Sequence, residues 1–492
     1  MPHALFLLLV VIIPSYLSLS SSVSPISNIH IVASTTTSPF GANSPVPPPT
    51  FLQAAKQVKR KVENCDPRIT VTVSSSFPSP LPPCDLLLTL GVTPPESLPP
   101  PTPSTGRFII SPPSLLPSST PNDFVDFFSP TTTVLPSPPW SSLSTARRLY
   151  EYLLKLFSRH TTDDYATGIL LFVNQYSGVK VPWVQHSIDP SWEKGPVQNA
   201  KEFAAMIGNC GDCITKCLAD ETCKACIDAL NEIDTRDQVE SYRAVTSFES
   251  DLLRDFSFCI LEKNNIFECS ASIPSLPAVT PVPTFRGEPI THDRADQILI
   301  GHLQDSDGFT DVVPKSDVSW MVACGANVAY DQFPNQNQLF YKGKGKDMWY
   351  DPVFKVKTLD GRTVWCKRHY KVRRVPNTPA QYMLSVLDNG VTSNERWNIV
   401  AVADDLSWCV FHYAGAASAV GQSYTGGLLC TRDGKVPPVD VLNGEIKDAF
   451  ESVDIKLFEL FVCDNSVTEE SDPPPLDFYR KKSGKRVVSP LA

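Results

Sequence analysis

Residues 363–400, TVWCKRHYKVRRVPNTPAQYMLSVLDNGVTSNERWNIV, hold three runs rich in β-branched and aromatic residues, separated by turn signals. Thr363–Arg374, Gln381–Leu384 and Arg396–Val402 read as strands, and Asp388-Asn389-Gly390 supplies residues that tolerate the positive φ of a tight hairpin. The same rhythm extends both ways. Trp320–Ala323, Leu339–Tyr341 and Val353–Lys357 precede these runs, Trp408–Tyr413 and Gly426–Thr431 follow, and Lys342-Gly343 and Asp360-Gly361 add further turns. About eight short strands at this spacing predict an up-and-down antiparallel barrel, whose mouth can hold one small apolar ligand. Gly434 to Pro437 ends the sheet, and Asn443–Phe461 has the periodicity of a helix packed on it.

Upstream, NCGDCITKCLADETCKAC (residues 209–226) packs five cysteines into eighteen positions. Two Cys-x-x-Cys pairs, Cys210/Cys213 and Cys223/Cys226, have zinc-ligand spacing. Cys210, Cys213 and Cys217 also follow i, i+3, i+7, one face of a helix, and Cys223 and Cys226 fall on a second helix beyond Ala219-Asp220-Glu221. Helical stretches continue over Asn199–Met206, Arg236–Ser247 and Ser250–Ile260, with Cys259 and Cys269 at the far end. A zinc site leaves several of these seven cysteines unexplained, so a disulfide-bonded helical domain is the better reading, with no metal and one odd cysteine.

The 492 residues suffice for two or three domains, and a net charge of −9 offers no positive field for nucleic acid. Fourteen cysteines point to an oxidising compartment. Leu5–Ile13 is an apolar run of signal-peptide length, and the following stretch to Thr50 is rich in Ser, Thr and Pro without an acidic residue, as in an organelle transit peptide. More than half of the 46 prolines lie before residue 150, and Ser76–Pro83, Pro94–Ser104, Ser111–Pro121 and Ser129–Pro139 are Pro/Ser-rich. Between them Phe51–Val62 and Ala146–Phe157 read as helices, and Ile69–Val73, Leu86–Leu90 and Thr167–Val173 as strands of a small α/β domain. The expected organisation is a targeting segment over 1–50, a Pro/Ser-rich region over 51–200, a Cys-rich helical domain over 205–270, a linker over 271–316, a barrel with its helix over 317–465 and a tail over 466–492.

Val318-Ser319-Trp320-Met321, Asp331-Gln332-Phe333, Lys357-Thr358-Leu359-Asp360, Phe411-His412-Tyr413-Ala414-Gly415, Tyr424-Thr425-Gly426-Gly427 and Cys463-Asp464-Asn465 follow the Cys-rich helices in that order. With them residues 205–465 resemble the violaxanthin de-epoxidase family, and the long N-terminal region is similar to the violaxanthin de-epoxidase-related proteins of plants and green algae. The resemblance implies a lipocalin-like barrel and a chloroplast location on the thylakoid lumen side, with secretion as the alternative. It also implies peripheral contact with the thylakoid membrane and ascorbate-dependent removal of epoxide oxygen from a xanthophyll. The alternative is a lipocalin that binds or carries a carotenoid or other apolar lipid.

Asp331 and Glu395 are the implied acids, and Trp320, Gln338, Tyr341, Trp397, Tyr413 and Tyr424 the implied substrate contacts. Opening an epoxide needs a carboxylic acid that stays protonated in an apolar tunnel, which burial provides. The match has departures. Where the family reads Phe-Asp-x-Phe-Asp-Cys-Gln-Leu-His-Glu-Phe-His, this chain has Pro334, Asn335, Gln338 and Tyr341 at the second Asp, the Cys and the two His positions. The family's Asp-Asp-Trp is Glu395-Arg396-Trp397, which places Arg396 to pair with Glu395 and hold it ionised.

Overall fold

The computed structural model describes residues 26–80, 82–92, 108–110, 152, 155–177, 187–188, 200–233, 237–303, 318–343 and 347–466. The residues before 26, the Pro/Ser-rich stretches 94–104, 111–121 and 129–139, most of Ala146–Phe157 and the residues beyond 466 lie outside them. The chain divides into two units, Met1–Gln185 and His186–Ala492.

In the first unit, β1 (Asn28–Ala33), α1 (Phe51–Cys65), β2 (Thr70–Ser74), β3 (Leu86–Leu90), β4 (Phe108–Ile110) and α2 (Thr162–Ser177) make a small α/β fold. Its sheet is parallel throughout in the order β2-β1-β3-β4. β1 lies inside the stretch read as a targeting segment, so the folded unit begins earlier than expected. Thr50 opens α1 through a capping box with Gln53, and Ala54, Val58 and Val62 at helical spacing face the core. Thr167–Val173, expected as a strand, belongs to α2. Ile169, Leu170 and Leu171 are all buried, so no polar face marks the helix, and a short apolar run of this kind reads as either element.

The second unit starts with β5 (Ser187–Ile188) and four helices, α3 (Ala200–Ala219), α4 (Glu221–Glu232), α5 (Gln238–Ser247) and α6 (Asp251–Ser257), the last running on through a π turn, Phe258–Lys263. Asp220, Asp237 and Ser250 accept hydrogen bonds from the backbone N–H three residues on and cap α4, α5 and α6. Cys210–Cys259 ties α3 to the π turn and Cys217–Cys223 staples α3 to α4, with Cα separations of 5.9 and 5.2 Å. Of the seven disulfide candidates, Cys213 and Cys226 remain thiols, and Cys269 Sγ donates to the Phe267 carbonyl. The helical face was legible, but its pairing depends on which cysteine the neighbouring helix brings within bridging distance. Cys210→Ser, which opens a 49-residue loop, is expected to cost about 4 kcal/mol. An unchanged urea midpoint under oxidising conditions would exclude that bridge.

The segment read as a linker holds a short hairpin, β6 (Thr284–Phe285) with β7 (Glu288–Pro289), and α7 (His292–Ile300). The barrel follows: β8 (Trp320–Gly325), β9 (Asn337–Lys342), β10 (Met348–Lys357), β11 (Thr363–Lys367), β12 (Tyr370–Arg374), β13 (Gln381–Asp388), β14 (Val391–Val402), β15 (Trp408–Ala417) and β16 (Gln422–Thr431). Eight strands run antiparallel in the order β8-β9-β10-β12-β13-β14-β15-β16, and β8 pairs with β16 to close the ring. β11 pairs only with the far half of β10, because the expected strand Thr363–Arg374 breaks at Arg368-His369. Phe285, Leu299 and Ile300 plug the base, where Trp320 donates its indole N–H to the Ile298 carbonyl at 2.9 Å. In place of the expected helix Asn443–Phe461, helical turns start at Val439, kink at Gly444 and end with α8 (Lys447–Ser452), and the chain then turns into β17 (Phe461–Val462) on the edge of β8.

The helical domain docks on the opposite end, the mouth. Gly390 at the β13–β14 turn has φ +86°, and a Cβ there would press on the Arg254 carbonyl and reach within 2.5 Å of the Phe258 amide. Thr392 N–H donates to Glu262 and Leu359 N–H to Ser247 Oγ (2.9 and 3.0 Å). Buried Arg368 bridges Glu249 of the helical domain and Asp388 of the barrel.

Candidate functional site

The lumen is built by alternation: residues of one strand parity point inward, and the strand register brings chosen pairs face to face. On β15 and β16, Tyr413 stands opposite Gly426 and Gly415 opposite Tyr424. Each tyrosine lies flat across the glycine. A methyl group on Gly426 would collide with the Tyr413 ring, and one on Gly415 would come within 2.5 Å of the Tyr424 ring. That geometry aims the two hydroxyls at the two carboxyls named from sequence. Tyr413 donates to Asp331 Oδ1 and Tyr424 to Glu395 Oε1, both at 2.7 Å, and the two rings sit edge to face with centroids 6.4 Å apart. Gly426→Ala is therefore expected to cost about 1–3 kcal/mol through overpacking and to detach Tyr413 from Asp331. An unaltered urea midpoint would contradict this.

Asp331 is fully buried in the turn after β8, folded back over Gly325. Its Oδ2 accepts from the Asn327 N–H (2.7 Å), and its carbonyl accepts from the Cys463 thiol (3.0 Å). Burial pushes its carboxyl up to about 7, against the pull of the Asn327 and Tyr413 hydrogen bonds, and the nearby Glu395 charge raises it further. Glu395 lies on β14 and is 5 % exposed. Its Oε2 accepts from the Trp397 indole at 2.6 Å, and Tyr370 adds a longer contact of 3.4 Å to Oε1. Burial raises Glu395 as well, opposed by Trp397, Tyr424 and Tyr370. Among the described residues, every hydrogen-bond partner of both carboxyls is neutral.

Arg396 does not pair with Glu395. As the next residue on the strand it faces the outside and donates to the Pro274 carbonyl at 2.7 Å. The structure brings Asp331, Glu395, Trp397, Tyr413 and Tyr424 together in one lumen, where Trp397 stacks on Tyr413 with centroids 5.2 Å apart. Gln338 is also inside and accepts from the Tyr350 hydroxyl. Trp320 is at the plugged base, where the ring of His302 meets it edge-on. Tyr341 is outside: strand parity turns it away from Phe340 and Gln338, and its hydroxyl donates to Asp351, which also holds Lys367 and His369. Tyr350, Tyr370 and Gln336 line the site without having been singled out, although Met348, Tyr350 and Phe354 share the inward parity of β10.

A family model described as the VDE lipocalin domain matches residues 202–465, more than half of the sequence. The chain belongs to the violaxanthin de-epoxidase family. No curated protein matches it in sequence. Among solved structures it is similar to lobster apocrustacyanin A1, at 11% identity and a TM-score of 0.23 over 30% of this chain and 76% of that one. H1 crustacyanin from the lobster Homarus americanus matches at 10% identity and a TM-score of 0.24, over 40% of this chain and 93% of that one. The siderocalin Ex-FABP matches at 10% identity and a TM-score of 0.23, over 30% and 93%. The barrel itself stands on its strand pairings. Within the family pattern, the departures fall in different places: Gln338 faces the lumen, Asn335 bonds the Asp464 and Ser466 carbonyls, and Tyr341 lies outside.

Proposed function

We propose that this member of the family is a xanthophyll de-epoxidase that removes an epoxide oxygen with ascorbate as reductant. The observation that carries the reading is the pair of buried carboxyls, each bonded to a tyrosine of the same two-stranded element, with no cation beside either one among the described residues. Asp331 in its protonated form is the proton source: Tyr413 gives its own hydroxyl proton to the epoxide oxygen as it takes the single proton of the Asp331 carboxyl, which is left as carboxylate. Glu395 shares the same lumen, and the hydrogen bonds from Trp397, Tyr424 and Tyr370 oppose its burial and favour the carboxylate, the form that steadies the positive charge developing at carbon as the C–O bond opens. Ascorbate supplies two electrons and two hydrogens, so that epoxide and ascorbate become alkene, water and dehydroascorbate. The two disulfides support an oxidising compartment, and family kinship favours the chloroplast, on the thylakoid lumen side with peripheral contact to the membrane.

The full chain is mixed with violaxanthin, galactolipid and ascorbate at mildly acidic pH, and pigments are followed by chromatography. Ascorbate-dependent appearance of de-epoxidised pigment supports the enzyme. A second reading, a carotenoid-binding lipocalin without chemistry, is favoured by the way both carboxyls already have their oxygens occupied by donors. Pigment recovered bound and unchanged would establish that reading instead.

A further inference from the structure

The mouth of the barrel is covered by an aromatic layer to which the helical domain contributes. Phe354 and Val356 continue the inward parity of β10 beyond Tyr350, and Phe333 stacks on Phe354 with centroids 5.2 Å apart. Tyr330, from the turn that carries Asp331, packs edge-on against Phe354 (5.0 Å), and Tyr242 of α5 meets Tyr330 at 5.9 Å. The hydroxyl oxygens of Tyr242 and Tyr330 are both shut off from solvent and have no hydrogen-bond partner among the described residues. Phenylalanine would fill either position without an unsatisfied group. Tyr330 directly precedes Asp331, and the Arg368 guanidinium lies over the Phe354 ring at 5.8 Å at the edge of the layer, where it meets Glu249 of the helical domain. Gln336, 0 % exposed, supplies the complement. Its amide donates to the Tyr330 carbonyl at 3.0 Å, and its Oε1 is also unpartnered.

Two donors and one acceptor left open in a buried apolar layer match a hydroxyl group, which accepts and donates at once. We propose that Tyr242, Tyr330 and Gln336 form a polar subsite that receives a ring hydroxyl of the apolar ligand, making the helical domain part of the binding site. The subsite rests on the reading that the lumen takes a polyene with oxygenated ends, and it does not depend on turnover. It orients the ring beside Asp331, the residue after Tyr330, so Tyr242 and Tyr330 are positioning residues.

The test compares zeaxanthin, hydroxylated on both end rings, with β-carotene, which has the same polyene and no oxygen. Each is presented to the full chain in galactolipid vesicles, and binding is read from quenching of tryptophan fluorescence. The wild type is expected to bind zeaxanthin about tenfold more tightly, and Tyr242→Phe with Tyr330→Phe to remove that preference while leaving β-carotene binding unchanged. Unchanged β-carotene binding also shows that the variant folds. Absence of a preference in the wild type, or its persistence in the double variant, overturns the subsite alone. Failure of the wild type to bind either pigment overturns the subsite and the polyene reading together.

Discussion

Asp331→Asn is expected to lower kcat/KM for epoxide removal by about 10²–10⁴-fold, the range of a positioned general acid, while pigment binding stays close to that of the wild type. The substitution keeps an acceptor oxygen for the Asn327 N–H, turns an amide N–H toward the Tyr413 oxygen, and removes the transferable proton. Wild-type activity is expected to fall as pH rises through about 7, because the working form is the protonated carboxyl. A stability readout separates this role from a merely structural one. With a folded-state value of about 7 against 3.8 for an ordinary aspartate, the folded protein holds a proton that the unfolded chain has released. Stability therefore falls as pH rises between those values, by up to about 4 kcal/mol. Asn has no such ionisation, so the variant is expected to gain on the wild type between pH 5 and pH 8 in urea midpoints. Full activity in Asp331→Asn would remove Asp331 from the chemistry, and an unchanged pH slope would mean that the carboxyl is not buried in an apolar site.

The barrel was legible because its turns are written locally: Asp388-Asn389-Gly390 fixes a hairpin whatever surrounds it, and eight such strands leave few alternatives. The two carboxyls were legible only through family resemblance, since nothing local marks Glu395 as inward. Which way Glu395 and Arg396 point is one binary choice, set by a register that the whole barrel decides. The same choice sends Tyr341 outward, whereas the side-chain pattern of its strand left both faces plausible. Two features lay beyond any local reading. The tyrosines that hold the acids lie over glycines on the neighbouring strand, and only the pairing of Tyr413 with Gly426 and Tyr424 with Gly415 explains both Gly positions. Tyr242 comes from a helix nearly ninety residues before Tyr330, so its place in the mouth depends on how Arg368, Gly390 and Thr392 dock the helical domain.

His412 sets the acid limit of the fold. It shares β15 with Phe411 and Tyr413 but has the opposite parity, so it faces the outer layer, opposite Gly427 and Asn398. That layer is closed by Phe450 and Ile455, which pack where a Gly427 side chain would be. His412 is 1 % exposed, and neither ring nitrogen has a partner among the described residues. Burial, aided by the Arg396 charge, pushes its imidazole down from 6.5 to about 3. The unfolded chain therefore binds a proton that the folded protein refuses between those values, and stability is lost as pH falls through that window. The loss is about 2 kcal/mol by pH 5 and approaches about 4 kcal/mol near pH 3. His412→Leu removes the ionisable group and both unpartnered nitrogens, and is expected to flatten the acid side of the stability profile measured by urea midpoints at pH 4 and pH 7. An unchanged acid slope in that variant would assign it to other groups. Asp331 and His412 then oppose each other: lowering the pH protonates the acid that opens the epoxide, and the same change drives a proton toward an imidazole whose burial the barrel wall requires. Activity is expected to peak between these two limits, and His412→Leu to extend it toward lower pH without moving the alkaline limb, which belongs to Asp331.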